Sequence, residues 1–311
     1  MSTIKGLVLG IGAAALLSGA AMAADVLVKK APAPAPAPAT PVFDLGIGAA
    51  IMTDYNFRGV SQSNRRYSFG AYVEVQYNSP IGTFYAGLAG WKIKWPTAFG
   101  FTNPAAEIDI TGGWRNTWGA FSLDLGGIYY YYPSETFNGF TNDSDFWEVY
   151  AKPSYNITPD LNVGANVFYT PDLLHYSQSF AAVGVAAKAA ALYASLTGKW
   201  VLPWKSGDFG GYVSGELGHW WIRNTGFILA GPALSGAPYV DPSYTYWNAG
   251  LAFTWKMLTL DLRYHGNDMN NLKCASFLLS AVGNPSNRWC GQTFIAALKF
   301  DTTLSALMPS K

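Results

Sequence analysis

From Phe43 to Phe300 the chain alternates apolar with small or polar residues, in runs whose connections are by turns short and long. In the opening run Phe43, Leu45, Ile47, Ala49, Ile51, Tyr55 and Phe57 alternate with Asp44, Gly46, Gly48, Ala50, Met52, Asp54, Asn56 and Arg58. A strand sends successive side chains to opposite faces, so such a run has one apolar face and one polar or small one. About twelve runs follow this rule, the later ones beginning near Tyr67, Tyr85, Ala106, Phe121, Phe146, Leu161, Ala191, Phe209, Tyr244, Leu258 and Gly291. The short links lie at Asn78–Gly82, Asn116–Gly119, Ile157–Asp160, Trp204–Asp208 and Lys256–Met257. Between them fall long ones at Gly59–Arg66, Pro96–Pro104, Pro133–Ser144, Pro171–Ala190, Ile222–Ser243 and Gly266–Cys290. A soluble sandwich has no reason to keep that parity. An outer-membrane barrel does, because its periplasmic turns are short and its external loops long. The sequence therefore predicts an all-β, antiparallel up-and-down transmembrane β-barrel over residues 43–300, with both termini in the periplasm.

Composition agrees. Charged residues make up 13% of the chain, about half the ~25% of soluble domains. Aromatics reach 16%, and beyond the first residues no apolar block approaches the ~20 residues of a membrane helix. The aromatics cluster at expected strand ends: Tyr55 and Phe57, Trp91 and Trp95, Trp114 and Trp118, Tyr129 to Tyr132, Trp220 and Trp221, Trp255 and Phe300. Girdles of this kind mark the two membrane interfaces. The net charge of +1 and the lack of a Lys/Arg stripe exclude a nucleic-acid partner. Phe180–Ala191 is Ala-rich; its β-branched Val183 and Val185 favour a strand over a helix.

The N-terminus reads as an export signal over residues 1–23: Lys5, an apolar Gly6–Ala20 core and Ala21-Met22-Ala23 as cleavage pattern. Residues 24–42 hold the Ala-Pro alternation Ala31–Pro41, a semi-rigid periplasmic tail that could reach toward the cell wall. Residues 301–311 form a periplasmic extension. In an exported protein Cys274 and Cys290 are expected to close the last long loop as a disulfide.

If the apolar parity meets lipid, the other lines the lumen. It carries Asp54, Glu74, Glu107, Asp109, Asp124, Glu148, Glu216 and Asp261 with Arg58, Lys92, Lys94, Arg115, Lys152, Lys199 and Arg263. A Lys or Arg at the bilayer midplane costs about 2–4 kcal/mol, which drives these groups inward. Such charges either brace a narrow barrel or filter solutes. About twelve strands enclose less than a general porin does, so the expected cargo is small hydrophilic solutes at low conductance. No cofactor or metal is implied. Two alternatives carry less: a non-conducting barrel for structure or surface recognition, and a lipid-modifying enzyme using His175, His219 or His265, which lack a Gly-x-Ser-x-Gly elbow.

The stretch Met52-Thr53-Asp54-Tyr55 followed by Phe57-Arg58-Gly59-Val60-Ser61-Gln62-Ser63 resembles the TorF-type porin family. Further pieces match in order: Ala106–Asp109, Tyr129–Pro133, Glu148–Tyr150 and Leu260–His265. The resemblance implies an outer-membrane β-barrel acting as a porin, without a settled substrate. The Ala-Pro tail, the Cys-bearing last loop and the residues beyond Phe300 depart from that pattern. Export should leave a mature chain beginning at Ala24; intact-mass measurement of outer-membrane protein checks this, and retention of residues 1–23 would overturn it.

Overall fold

The computed structural model describes residues 41–95, 102–135, 143–178, 188–224, 241–277 and 288–308. The export signal, nearly all of the Ala-Pro tail and residues 180–187 of the Ala-rich stretch lie outside them. Twelve strands close into one barrel. They are β1 (Phe43–Met52), β4 (Ser68–Ser79), β5 (Gly82–Lys92), β6 (Ala106–Trp118), β7 (Phe121–Tyr131), β8 (Phe146–Thr158), β9 (Leu161–Thr170), β10 (Ala189–Val201), β11 (Phe209–Asn224), β12 (Tyr244–Trp255), β13 (Leu258–Asn267) and β14 (Thr293–Thr303). Two further short strands, β2 (Asn56–Phe57) and β3 (Val60–Ser61), form a hairpin of their own.

Every barrel strand runs antiparallel to its neighbours in sequence, and β1 closes the cylinder by pairing with β14 from Gly46↔Thr303 to Met52↔Ala297. Closure leaves no unpaired edge, which a bilayer demands of any β-structure that crosses it. Ala189 to Ala191 of the Ala-rich stretch belong to β10. The last strand runs three residues beyond Phe300. There α2 (Leu304–Leu307), named after α1 (Asn271–Phe277) of the last long loop, is capped by Thr303 and tied to β1 by Ser305 N–H donating to Asp44 at 3.1 Å.

The outer wall is apolar. Ile51, Val75, Leu88, Ile110, Leu196 and Leu217 stand exposed on it, an arrangement that only lipid rewards. At the short-turn end, rings meet across neighbouring strands: Phe43 with Tyr77 at 5.1 Å, Tyr77 with Phe84 at 6.4 Å, and Phe209 with Trp255 at 5.9 Å. Trp118, Tyr129, Tyr131, Trp221 and Trp255 are exposed on this outer face. With its closed lipid-facing wall, the chain is a bacterial outer-membrane barrel.

Other aromatics expected in the girdles are inside. Tyr55, Phe57, Trp91, Trp95, Tyr130, Tyr132 and Trp220 are buried. Tyr130, Tyr132 and Trp220 follow the inward parity of β7 and β11, and two departures explain the other four. The first strand stops at Met52 instead of running on to Arg58, and residues 53–63 turn into the barrel. On β5 the parity is reversed, so that Trp91 points inward and packs on Tyr55 with ring centroids 5.8 Å apart. At this height the interior is filled by protein, and a ring facing it is as well placed as a ring facing lipid.

The outer face has a direct test. Leu88, mid-strand on β5 and exposed, should cost about 2–4 kcal/mol when changed to Arg. Chemical unfolding in lipid vesicles reads this, and a cost near zero would remove Leu88 from the lipid-facing wall.

Candidate functional site

The site begins with a two-residue turn. Asn56 pairs with Ser61 and Phe57 with Val60, which leaves Arg58 and Gly59 as the loop of β2–β3. Both have positive φ, 47° and 89°, as a type I′ hairpin turn requires. Gly59 has a second reason to be glycine: a Cβ there would lie 2.9 Å from the Tyr246 ring. Asn56 Oδ1 accepts from Gly59 N–H at 2.8 Å and stabilises the turn.

The two arms are stitched by serines. Asp54 Oδ1 accepts from Ser61 Oγ at 2.6 Å and from Ser63 Oγ at 2.9 Å. Ser63 Oγ also takes Tyr55 N–H at 2.9 Å, and Gln62 N–H donates to the Tyr55 carbonyl at 2.6 Å. The wall then holds the tip. Tyr244 Oη on β12 donates to the Arg58 carbonyl at 2.8 Å, and Asn267 Nδ2 on β13 to that of Gly59 at 2.7 Å. From β6, Glu107 accepts from Tyr55 and, at 2.8 Å, from Tyr132.

At the tip, Arg58 spans the lumen. Its Nη1 and Nη2 each donate to a different oxygen of Glu148 at 2.8 Å. Glu148 sits on β8, five strands round the twelve-stranded barrel from β1 and nearly opposite it. Tyr130 Oη adds a third bond to Glu148 at 3.0 Å. The guanidinium carbon lies 4.4–4.7 Å from the ring centres of Phe57, Phe168, Tyr193 and Trp220. The two side chains are 2% and 0% exposed, so water does not reach the pair. A planar, delocalised cation suits this cage of rings, and its fork matches the carboxylate.

Below the hairpin, toward the short turns, the interior is charged. Arg115 pairs with Glu74 across the intervening strand, and register places Arg115, Asp124 and Lys152 side by side on β6, β7 and β8. Tyr85 donates to Asp124, and the Lys152 ammonium lies 4.0 Å from the Tyr150 ring centre. On the far wall Asp261 is bridged by Lys299 at 2.8 Å and Arg263 at 3.2 Å, and Arg263 also donates to Ser214 at 2.7 Å. Between these groups Glu216 accepts from Tyr193 at 2.8 Å.

The residues expected on the lumen face thus occupy three places. Glu74, Glu107, Asp109, Arg115, Asp124, Glu148, Lys152, Glu216, Asp261 and Arg263 stand on the inner face of the barrel wall. Asp54 and Arg58 are inside too, but on the hairpin, because the chain leaves the wall after Met52. Lys92 is a correction: it shares the outer parity of exposed Phe84 and Leu88, and its ammonium lies 3.7 Å from the Tyr67 ring centre at the long-loop rim. Reversed parity on β5 carries it there, and a long side chain lets the charge reach the interface. Lys94 lies beyond the end of β5, where its N–H donates to the Gln62 carbonyl at 2.8 Å. Lys299, Tyr244 and Trp220 join the interior unforeseen. Lys299 shares an inward face with Ile295 and Ala297, which masked it as a lumen position.

The described part of the last long loop is bonded to the hairpin segment. Cys274 and Cys290 are disulfide-bonded with Cα atoms 6.0 Å apart. Next to that bond the Trp289 carbonyl accepts from Ser61 N–H at 2.7 Å, and the Cys290 carbonyl from Arg65 Nη2 at 2.7 Å. In the loop between β7 and β8 burial pushes the Glu135 carboxyl up to about 7. The three histidines are dispersed. His265 bonds Tyr246 at 2.9 Å inside the barrel, His219 bonds Thr245 at 3.0 Å, and His175 pairs with Asp143 in a long loop at 2.7 Å.

Among solved structures the chain is similar to KdgM porin at 10% identity and a TM-score of 0.42, over 82% of this chain and 98% of that one. It is also similar to the outer membrane channel DcaP of Acinetobacter baumannii, at 8% identity and 0.38, over 84% and 96%. LpxR from Salmonella typhimurium follows at 7% identity and 0.38, over 82% and 99%. No curated protein matches in sequence. Residues 36–278, which take in the hairpin and the strands that bind its tip, match the Gcw_chp family, described as a bacterial protein of unknown function, and the chain belongs to that family.

Proposed function

We propose that the chain is a porin-like channel for passive diffusion of small hydrophilic solutes, in which the β2–β3 hairpin is the constriction and the charged rows beneath it are the selective wall. The observation that carries this reading is the Arg58–Glu148 pair, which fastens the hairpin tip to the far side of the lumen. A barrel needs no such crossbar to stay closed, because its strands already satisfy one another. The rows below support the same reading. They line the short-turn half with both signs in alternation: Glu74, Arg115, Asp124 and Lys152 on one wall, Asp261, Arg263 and Lys299 on the other. Fields of opposite sign at close spacing favour polar solutes over apolar ones and give little preference for cations or anions. The resemblance to TorF-type porins points the same way. On this reading the chain is a channel and not an enzyme, and its histidines serve packing and hydrogen bonding.

Breaking a buried ion pair by removing one partner costs about 3–5 kcal/mol, because the other charge is left without compensation. In Arg58→Ala the orphaned Glu148 should draw water into the cage and release the hairpin. Single-channel recording in planar bilayers should show small discrete steps for the mature wild type, with reversal near zero in a salt gradient. The steps should be several-fold larger for Arg58→Ala and for Glu148→Gln. Folded, inserted barrels that never conduct in either form would replace the channel reading with a structural barrel. Equal steps in wild type and variants would remove the constriction from the hairpin.

A further inference from the structure

Above the hairpin, on the long-loop side, lies a recess of about 510 Å³ including its open mouth. Its floor is the hairpin itself, through Phe57 and Val60, together with Trp220 of β11. Its walls come from the loop ends of the barrel: Trp95, Tyr132, Phe146 and Leu174 on one side, Phe277 and Trp289 on the other. We infer that this recess is a binding site for a small, uncharged aromatic molecule arriving from outside the cell.

The chemistry of the lining selects that class. Among the described residues no charged side chain takes part in it. Arg58 lies behind Phe57 and Trp220 with both Nη atoms committed to Glu148. Most polar atoms of the lining residues are occupied. Ser61 Oγ donates to Asp54, Gln62 Oε1 accepts from Trp95 Nε1 at 3.0 Å, and Tyr132 Oη donates to Glu107 at 2.8 Å. Tyr176 Oη donates to the Phe277 carbonyl at 3.2 Å. A sugar or an ion entering the recess would give up its water and gain few hydrogen bonds, which is costly. A flat apolar ring would gain several aromatic faces at the usual stacking distances. One polar group of the lining is left over: among the described residues the Gln62 side-chain amide Nε2 has no acceptor, while its Oε1 is taken by Trp95. A ring that carries a carbonyl or ether oxygen meets both needs. The concavity, the aromatic lining and the single spare donor match the general form of small-molecule sites.

Binding at this site is read without current, so its outcome is separate from the conductance test. Mature protein in lipid nanodiscs would be titrated with benzamide, with glucose and benzoate as comparators and empty nanodiscs to subtract partition into lipid. Saturable benzamide binding is expected, at least tenfold tighter than either comparator. Leu174→Trp should fill the recess and weaken benzamide at least tenfold, with folding checked by heat-modifiable migration on gels. Phe277→Ala is a second variant that removes a wall and should weaken it several-fold. Absence of saturable benzamide binding, equal affinity for glucose, or wild-type affinity in both folded variants would overturn the assignment. Such a result would leave the reading of the Arg58 hairpin as it stands.

Discussion

The interior is organised around one buried ion pair. Taking a guanidinium and a carboxylate out of water costs several kcal/mol each, and their attraction offsets this only when the geometry is good and the remaining lone pairs are satisfied. Here both conditions hold: the contact is bidentate, Tyr130 supplies the third bond to Glu148, and four rings close around the cation. The same pair accounts for the backbone at Arg58. A non-glycine residue at φ 47° is uncommon. It persists where the surroundings over-determine it, and here the side chain is locked to β8 while the carbonyl is locked to Tyr244 of β12.

Fixing the tip also decides what the wall must be. A hairpin lying in the lumen presents Tyr55, Phe57 and Val60 to the strands around it, so those strands turn aromatics inward at that height. Trp91 on β5, Tyr130 on β7, Phe168 on β9 and Trp220 on β11 all answer it. Nearer the short turns no hairpin is present, and the inward positions revert to charged and amide side chains. The barrel therefore has an outer face of one character and an inner face of two.

That division explains what could be read from the sequence. The closed twelve-stranded barrel follows from period-two alternation and from the parity of connection lengths, both local properties. The disulfide partners Cys274 and Cys290 needed only the export context. The hairpin was harder, because Phe43 to Arg58 keeps its alternation unbroken through the point where the chain leaves the wall. Arg58-Gly59 was the available signal, since a glycine in the second position of a two-residue turn between apolar residues suits a type I′ hairpin. It was obscured because such a turn was expected at a membrane surface and not inside a lumen. Lys92 shows the complementary limit. Its strand has apolar residues on both parities, and only the partner of Trp91, a ring from the hairpin, tells which side is in.

The levels of the barrel also impose an order on anything that crosses it. A solute from outside meets an aromatic recess with almost no spare hydrogen-bonding groups, then a hairpin tip whose charges are already paired, and finally two walls of alternating charge. The first level rewards loss of water and the last rewards keeping it. No single solute class is favoured at both, so on the proposed reading the recess holds a molecule over the hairpin and does not pass it on. The hairpin is linked on that side to the disulfide-closed loop, through Ser61 to Trp289 and Arg65 to Cys290. Occupancy above the tip and release of the tip below thus act on one short segment from opposite ends. That segment is the stretch of this chain where a change in binding could become a change in passage.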